Sequence, residues 1–175
     1  MGDRKGQVII LIGIGSLGHM AVQFAKKLGN RVTVFTTSQD QAKFAHKMGA
    51  DKAIVVGKGE IPQAPSSKLD ILLSTVPAAL DWVPYIDFLD SDCALAFVGV
   101  PDAHLSIPLF SLLAKRRRIM ASPIGDRAMI NQMLAIAEKF GIEPIIEVFA
   151  IAQANQAMQK VRDNQVRYRA ALTIS

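Results

Sequence analysis

Gln7-Val8-Ile9-Ile10-Leu11-Ile12-Gly13-Ile14-Gly15-Ser16-Leu17-Gly18 opens as an unbroken apolar run and closes on a glycine triplet spaced G-x-G-x-x-G. An apolar run of this length without alternation suits a central parallel strand covered on both faces. From Leu17 onward, Leu17, Met20, Ala21, Phe24, Ala25 and Leu28 fall three or four apart, which lines one face of a helix that Gly29-Asn30 stops. The glycines therefore stand where strand hands over to helix, and each has a physical task there. Gly13 permits a tight turn, Gly15 lets backbone approach a pyrophosphate without a side chain in the way, and Gly18 lets the helix close on the strand. Free amides and the positive end of the helix dipole suit an anion at this junction. The stretch predicts a dinucleotide site in which Gly13, Gly15, Ser16, Leu17 and Gly18 meet the diphosphate.

The same alternation continues. Arg31 to Phe35 reads as a second strand, and Ser38-Gln39-Asp40-Gln41 has capping-box spacing for a second helix that runs to about Met48 and ends at Gly49. Strands follow at Ala53 to Val56, Leu69 to Leu73, Ala94 to Gly99 and Arg118 to Ser122, while Lys58 to Lys68, with Pro62, Pro65 and two serines, reads as an exposed loop. This order predicts an α/β fold of the Rossmann type, a doubly wound parallel sheet of six strands in the order 3-2-1-4-5-6. After Gly125 the character changes to a long helix from Asp126 to Phe140, a strand at Ile145 to Val148, a helix from Ala152 to Arg162 and a strand at Arg169 to Thr173. Residues 1–125 form the expected dinucleotide-binding domain and residues 126–175 a carboxyl-terminal appendage.

Length and composition bound the function. With 175 residues, half of them hydrophobic, the chain buries one good core and not two. Cys93 is the single cysteine and lies in an apolar run, and His19, His46 and His104 stand apart from one another, so no metal site is read in this chain. The longest apolar stretch, Val8 to Ile14, is far short of a membrane span, and Asp3, Arg4 and Lys5 precede a strand pattern rather than a secretory core, which predicts a soluble, cytoplasmic protein. The net charge of +5 concentrates in Lys115-Arg116-Arg117-Arg118. No aromatic residues interleave this block, so it reads as a solvated face and not as a nucleic-acid surface.

The end of the second strand bears on the choice of cofactor. An NAD site places an acidic residue there, roughly 20 positions past the glycines, to bond the adenosine ribose. Here the strand ends in Thr36-Thr37-Ser38, whose small hydroxyls leave room for a 2′-phosphate and donate to it, so NADP is preferred over NAD. Ser38 is equally well explained as the helix cap. Lys43 is the nearest candidate cation, one turn into the helix.

Gly13-Ile14-Gly15-Ser16-Leu17-Gly18-His19-Met20-Ala21-Val22-Gln23-Phe24-Ala25-Lys26 resembles the cofactor motif of the zinc-dependent medium-chain alcohol dehydrogenases, in their cinnamyl-alcohol-dehydrogenase-like branch. Met48-Gly49-Ala50-Asp51, Ser74-Thr75-Val76-Pro77, Val98-Gly99-Val100, Ser122-Pro123-Ile124-Gly125 and Val166-Arg167-Tyr168-Arg169 extend the similarity over nearly the whole chain. The resemblance implies that Thr75 and Val76 lie beside the nicotinamide ribose. It also implies that Val98, Gly99, Val100, Ser122, Pro123 and Ile124 hold the nicotinamide ring and its amide, and that Arg169 lies near the pyrophosphate. His19 matches as well, and on a helix inside the motif it reads as a packing residue rather than a proton relay.

Where the branch usually carries Lys or Arg just after Thr-Thr-Ser, this sequence has Gln39, Asp40, Gln41 and Ala42. The resemblance places zinc and the proton relay in an amino-terminal half outside these residues, so zinc is expected only in a full-length enzyme. The expectation is an NADP(H)-binding half of an alcohol dehydrogenase that reduces no aldehyde by itself. A nucleotide-sensing module without catalysis and the cofactor half of a zinc-independent quinone-oxidoreductase-like enzyme are the alternatives. A homodimer through Leu105-Ser106-Ile107-Pro108 and the sixth strand is implied, as is an apolar surface left uncovered after Gly125.

Overall fold

Six parallel strands, in the order β3-β2-β1-β4-β5-β6, carry the molecule: β1 (Val8–Ile12), β2 (Arg31–Thr36), β3 (Lys52–Val55), β4 (Ile71–Ser74), β5 (Ala94–Phe97) and β6 (Arg118–Ala121). This is the expected sheet. The computed structural model describes residues 6–57, 59–63, 69–101 and 104–174, so Lys58 and 64–68 of the anticipated loop, together with Asp3, Arg4 and Lys5, lie outside the described residues.

Two helices cover one face. Val22 of α1 (Gly18–Lys27) and Ala45 of α2 (Gln39–Lys47) are fully buried against Leu11, Val32 and Val34, with Ile14 closing the cluster near the glycines. The strand residues of opposite parity, Ile10, Ile12, Phe35, Leu72, Leu95 and Phe97, point to the other face. There they pack on Trp82, Tyr85, Ile86 and Leu89, carried in and beside the short helix α3 (Val83–Asp87). Neither α3 nor α4 (Leu109–Leu113) is visible as a helix in the sequence. Each is five residues long, too short to show a 3.6-residue period, and tertiary burial of Tyr85 and Ile86 rather than propensity holds α3.

The appendage begins with α5 (Arg127–Phe140). Asp126 caps it by accepting from the Met129 amide at 2.8 Å, and Gly141 ends it in the left-handed conformation at φ 61°. A separate two-stranded parallel sheet follows, β7 (Ile146–Ala150) with β8 (Arg169–Thr173), joined by a 3-10 turn (Ile151–Gln153) and α6 (Ala154–Arg162). The apolar residues expected to stand uncovered do so: Met129, Met133 and Leu134 of α5, Val148 of β7 and Met158 and Val161 of α6 are exposed. No helix among the described residues is long and apolar enough to cross a membrane.

Lys115, Arg116 and Arg118 of the basic block are exposed, as expected of a solvated face, but Arg117 is buried, which corrects the expectation for that residue. Its buried guanidinium donates to the carbonyls of Leu89 at 2.9 Å and Ser111 at 2.9 Å and to the Asp87 carboxylate at 3.0 Å, tying α3 and α4 to β6. Arg116 pairs with Asp92 at 2.6 Å on the surface. Arg117→Ala leaves these acceptors without a donor, and the expected loss is about 3 kcal/mol of unfolding free energy, read from the urea midpoint. Arg116→Ala is expected to leave that midpoint nearly unchanged, because its pair is solvent-exposed.

Candidate functional site

Strand register alone assembles the edge on which the sequence expectations fall. Phe35, Ile12, Ser74, Phe97 and Ala121 lie in one row across the sheet. The residue after each is Thr36, Gly13, Thr75, Val98 and Ser122, so residues from five strand ends share the carboxyl edge of the sheet. The strand order reverses between β1 and β4, and an open α/β sheet binds ligands in the crevice at that point.

Gly13 and Gly18 do the packing work expected of them, and Gly15 stays bare. Gly13 has φ +91°, and a β-carbon on it would lie 2.4 Å from Val76 Cγ1. On Gly18 the added carbon would lie 2.3 Å from the Gly13 carbonyl oxygen. On Gly15 it would meet nothing within 4 Å. The first two glycines are thus demanded by the chain's own packing, whereas the third faces open space. Gly15, Ser16 and Leu17 are exposed, and their amides donate to no acceptor among the described residues. No side chain caps α1 and no acidic residue stands in its first turn, so this amide cluster keeps its positive potential.

Thr75 locks the crevice from the β4 side. Its hydroxyl donates to the Ile12 carbonyl at 3.0 Å and approaches that of Gly13 at 3.3 Å. A β-carbon on Gly99 would come within 2.7 Å of the Thr75 and Val76 backbone, so the ends of β4 and β5 also touch without a side chain between them. Val100, Ser122, Pro123 and Ile124 lie exposed beyond β5 and β6.

At the end of β2, Thr36 is buried while Thr37 and Ser38 are exposed. Ser38 Oγ accepts from the Gln41 amide at 3.3 Å, which is one half of the expected capping box. The other half does not form. The Gln41 side chain turns to the strand end, where Oε1 accepts from the Thr36 hydroxyl and, at 3.3 Å each, from the Thr37 amide and hydroxyl. Lys43 points into solvent, 3.9 Å from the Asp40 carboxylate, and touches none of the three hydroxyl residues.

The carboxyl-terminal segment returns to the glycine turn. Arg169 extends a guanidinium nitrogen to 3.5 Å from the Ser16 carbonyl, beside the free amides. His19 is fully buried, stacked on Tyr168 with ring centroids 5.1 Å apart. Its Nδ1–H donates to the Gly15 carbonyl at 3.0 Å, because Nε2 must be the acceptor for the Ile145 amide at 3.2 Å. The packing expected of His19 is found, together with a bridge from the turn to the appendage that no local pattern around His19 announces. Among the described residues no group of three or more His, Cys, Asp or Glu is placed to hold a metal ion.

The sequence model of the zinc-binding dehydrogenase family matches residues 16–139. The chain is 36% identical over 173 residues to cinnamyl alcohol dehydrogenase 2 of Rauvolfia serpentina, covering 98% of this chain and 48% of that protein. It is 36% identical over 167 residues to an aldehyde reductase of Synechocystis, covering 95% of this chain and 50% of that one. Among solved structures, a cinnamyl alcohol dehydrogenase of Sorghum bicolor superposes with TM-score 0.86 at 31% identity, over 97% of this chain and 48% of that one. A Helicobacter pylori enzyme of the same name, solved with NADP(H), superposes with TM-score 0.81 at 25% identity, over 96% and 48% respectively. The chain spans about half the length of the curated relatives it matches.

Burial holds the His19 pKa below 6.5; the Gly15 carbonyl opposes this and the Arg169 charge adds to it. The folded state therefore resists a proton that the unfolded chain accepts. Its contribution to stability is intact above about pH 6.5 and is lost as the pH falls through the lowered folded value. The expected outcome is that the urea midpoint drops more steeply in the wild type than in His19→Gln between about pH 7 and pH 5.

Proposed function

The chain belongs to the zinc-binding dehydrogenase family, and we propose that it is the cofactor-binding half of a zinc-type alcohol dehydrogenase that uses NADP(H). The carrying observation is the pairing of Gly15, which faces open space, with three amides at the start of α1 that have no acceptor among the described residues. A group that needs both bare backbone and concentrated N–H donors fits there, and a diphosphate is such a group.

When bound, NADP(H) supplies or receives the hydride. The chain's residues orient it. Gly15, Ser16 and Leu17 donate to the diphosphate, with the Arg169 guanidinium at the flank. Thr36, Thr37 and Ser38 meet the adenosine ribose; the absence of a carboxylate at this strand end supports NADP(H) over NAD(H). Thr75 and Val76 border the nicotinamide ribose, and Val98 to Val100 with Ser122 to Ile124 hold the ring on the other side of the switch point. Lys43 is exposed one turn into α2 and is the nearest cation to this strand end.

Zinc does not fit the described residues, because they gather no metal-ligand set. Polarising the substrate oxygen is accordingly assigned to the amino-terminal half that the relatives' greater length leaves room for, and the substrate alcohol or aldehyde with it. Residues 1–125 then form the cofactor domain and 126–175 the segment that returns to the catalytic half. The exposed apolar side of α5 and β7 supports this division, as does a groove of about 330 Å3 between α6 and β8 lined by Ala157, Met158, Val161 and Leu172. A homodimer along the β6 edge is supported by the exposed Leu109 and Phe110 of neighbouring α4. The single, buried Cys93 suits a cytoplasmic setting.

Titration with NADPH and NADH, followed by thermal shift, is expected to show binding of both and tighter binding of NADPH; equal affinities would remove the cofactor choice. Gly15→Val is expected to weaken both by at least about 30-fold, since a branched side chain fills the cradle, while the unliganded thermal midpoint holds. Indifference of both cofactors to the substitution would remove the site. The 175 residues alone, supplied with zinc, are expected to reduce no aldehyde, and turnover would refute the division of labour.

A further inference from the structure

In a sheet of this kind the residue roughly 20 positions past the glycines reads the adenosine ribose, and here that place is Thr36, whose hydroxyl is already committed. Thr36 Oγ1, Thr37 Oγ1 and the Thr37 amide all converge on one atom, Gln41 Oε1. A backbone N–H only donates, so the atom it meets is the carbonyl oxygen of the carboxamide, which fixes which way the amide is turned. The opposite arm, Nε2, therefore keeps two N–H donors, and it donates to nothing among the described residues, on a residue exposed to solvent. Ser38 Oγ accepts from the Gln41 amide and so retains its own hydrogen beside it. Asp40 and Lys43, both exposed, lie 3.9 Å apart at i,i+3 spacing.

We propose that Gln41 is the specificity-determining residue for the 2′ position of the adenosine ribose: Thr36 and Thr37 clamp its carbonyl, and the Nε2 amide so aimed donates to a 2′-phosphate. The assignment rests on the dinucleotide reading above and deepens it. It makes recognition of the 2′-phosphate a neutral, hydrogen-bonded one, in which the two threonines act on that phosphate through Gln41. A helix cap alone does not account for the arrangement, because the capping role would send the Gln41 side chain to the Ser38 amide, and it goes to the strand end instead.

Gln41→Glu is the deciding variant. A carboxylate still accepts from all three donors, so the strand end keeps its hydrogen bonds, but its second oxygen faces the phosphate as a negative charge. The measurement is the ratio of NADPH to NADH affinity by calorimetry, with the thermal midpoint as a check of folding. The ratio is expected to fall by about tenfold or more, the worth of a hydrogen bond to a charged group. Where the glutamate variant does not fold, Gln41→Lys decides, with a rise of the same size expected. A folded deciding variant within about twofold of the wild-type ratio, with both cofactors still binding, overturns the role of Gln41 and leaves the site standing. A wild-type chain that binds neither cofactor overturns both.

Discussion

The Gly13 carbonyl lies so close to the start of α1 that a β-carbon at Gly18 would sit 2.3 Å from its oxygen. Much else follows from that contact. The helix begins directly above the end of β1, so its first amides leave the chain at the carboxyl edge of the sheet and not over its face. The Thr75 hydroxyl pins the Ile12 carbonyl from β4 and approaches that of Gly13, which keeps the two strand ends together where the winding reverses. The cluster of free amides is thereby a by-product of packing one helix against one strand without side chains between them, and Gly15 is the one glycine of the three that packing does not explain.

His19 extends this junction across the molecule. One neutral imidazole satisfies the Gly15 carbonyl with one nitrogen and the Ile145 amide with the other, and Tyr168 stacks on its face while also packing 4.5 Å from the Phe44 ring. Gln23, one turn further along α1, donates to the Glu143 carbonyl at 3.1 Å. The glycine turn and the second sheet are therefore fastened by polar bonds whose partners lie more than 100 residues apart in sequence. Arg169 stands next to Tyr168 and inherits its place beside the turn from this fastening.

Charge and apolar surface are distributed unevenly, for separable reasons. Within the densest run of cations Arg117 is buried and holds α3 and α4 to β6, while Lys115, Arg116 and Arg118 stay exposed and Arg116 pairs with Asp92. Many of the exposed apolar residues gather on α4, α5, β7 and α6, while at the carboxyl edge of β1 and β2 Leu17 stands exposed among Gly15, Ser16, Thr37 and Ser38. Half of each relative's length lies beyond the matched part, which is in keeping with faces shaped to meet further protein.

Local pattern was enough to determine the strands, α1, α2 and α5, the sheet order and the packing tasks of Gly13 and Gly18. Continuous apolar runs, a 3.6-residue period and glycine spacing are properties of neighbours in sequence, and parallel register then sets Thr36, Thr75, Val98 and Ser122 on one edge. What stayed hidden depends on where a long or flexible side chain ends up. Gln41 has the spacing of a capping residue, yet its carboxamide prefers the three convergent donors at the strand end; Arg117 stands in a charged block, yet carbonyls from two short helices draw it inside. Only the tertiary structure decides such cases, because the competing hydrogen-bond partners come from distant segments and their positions exist only after the sheet has closed.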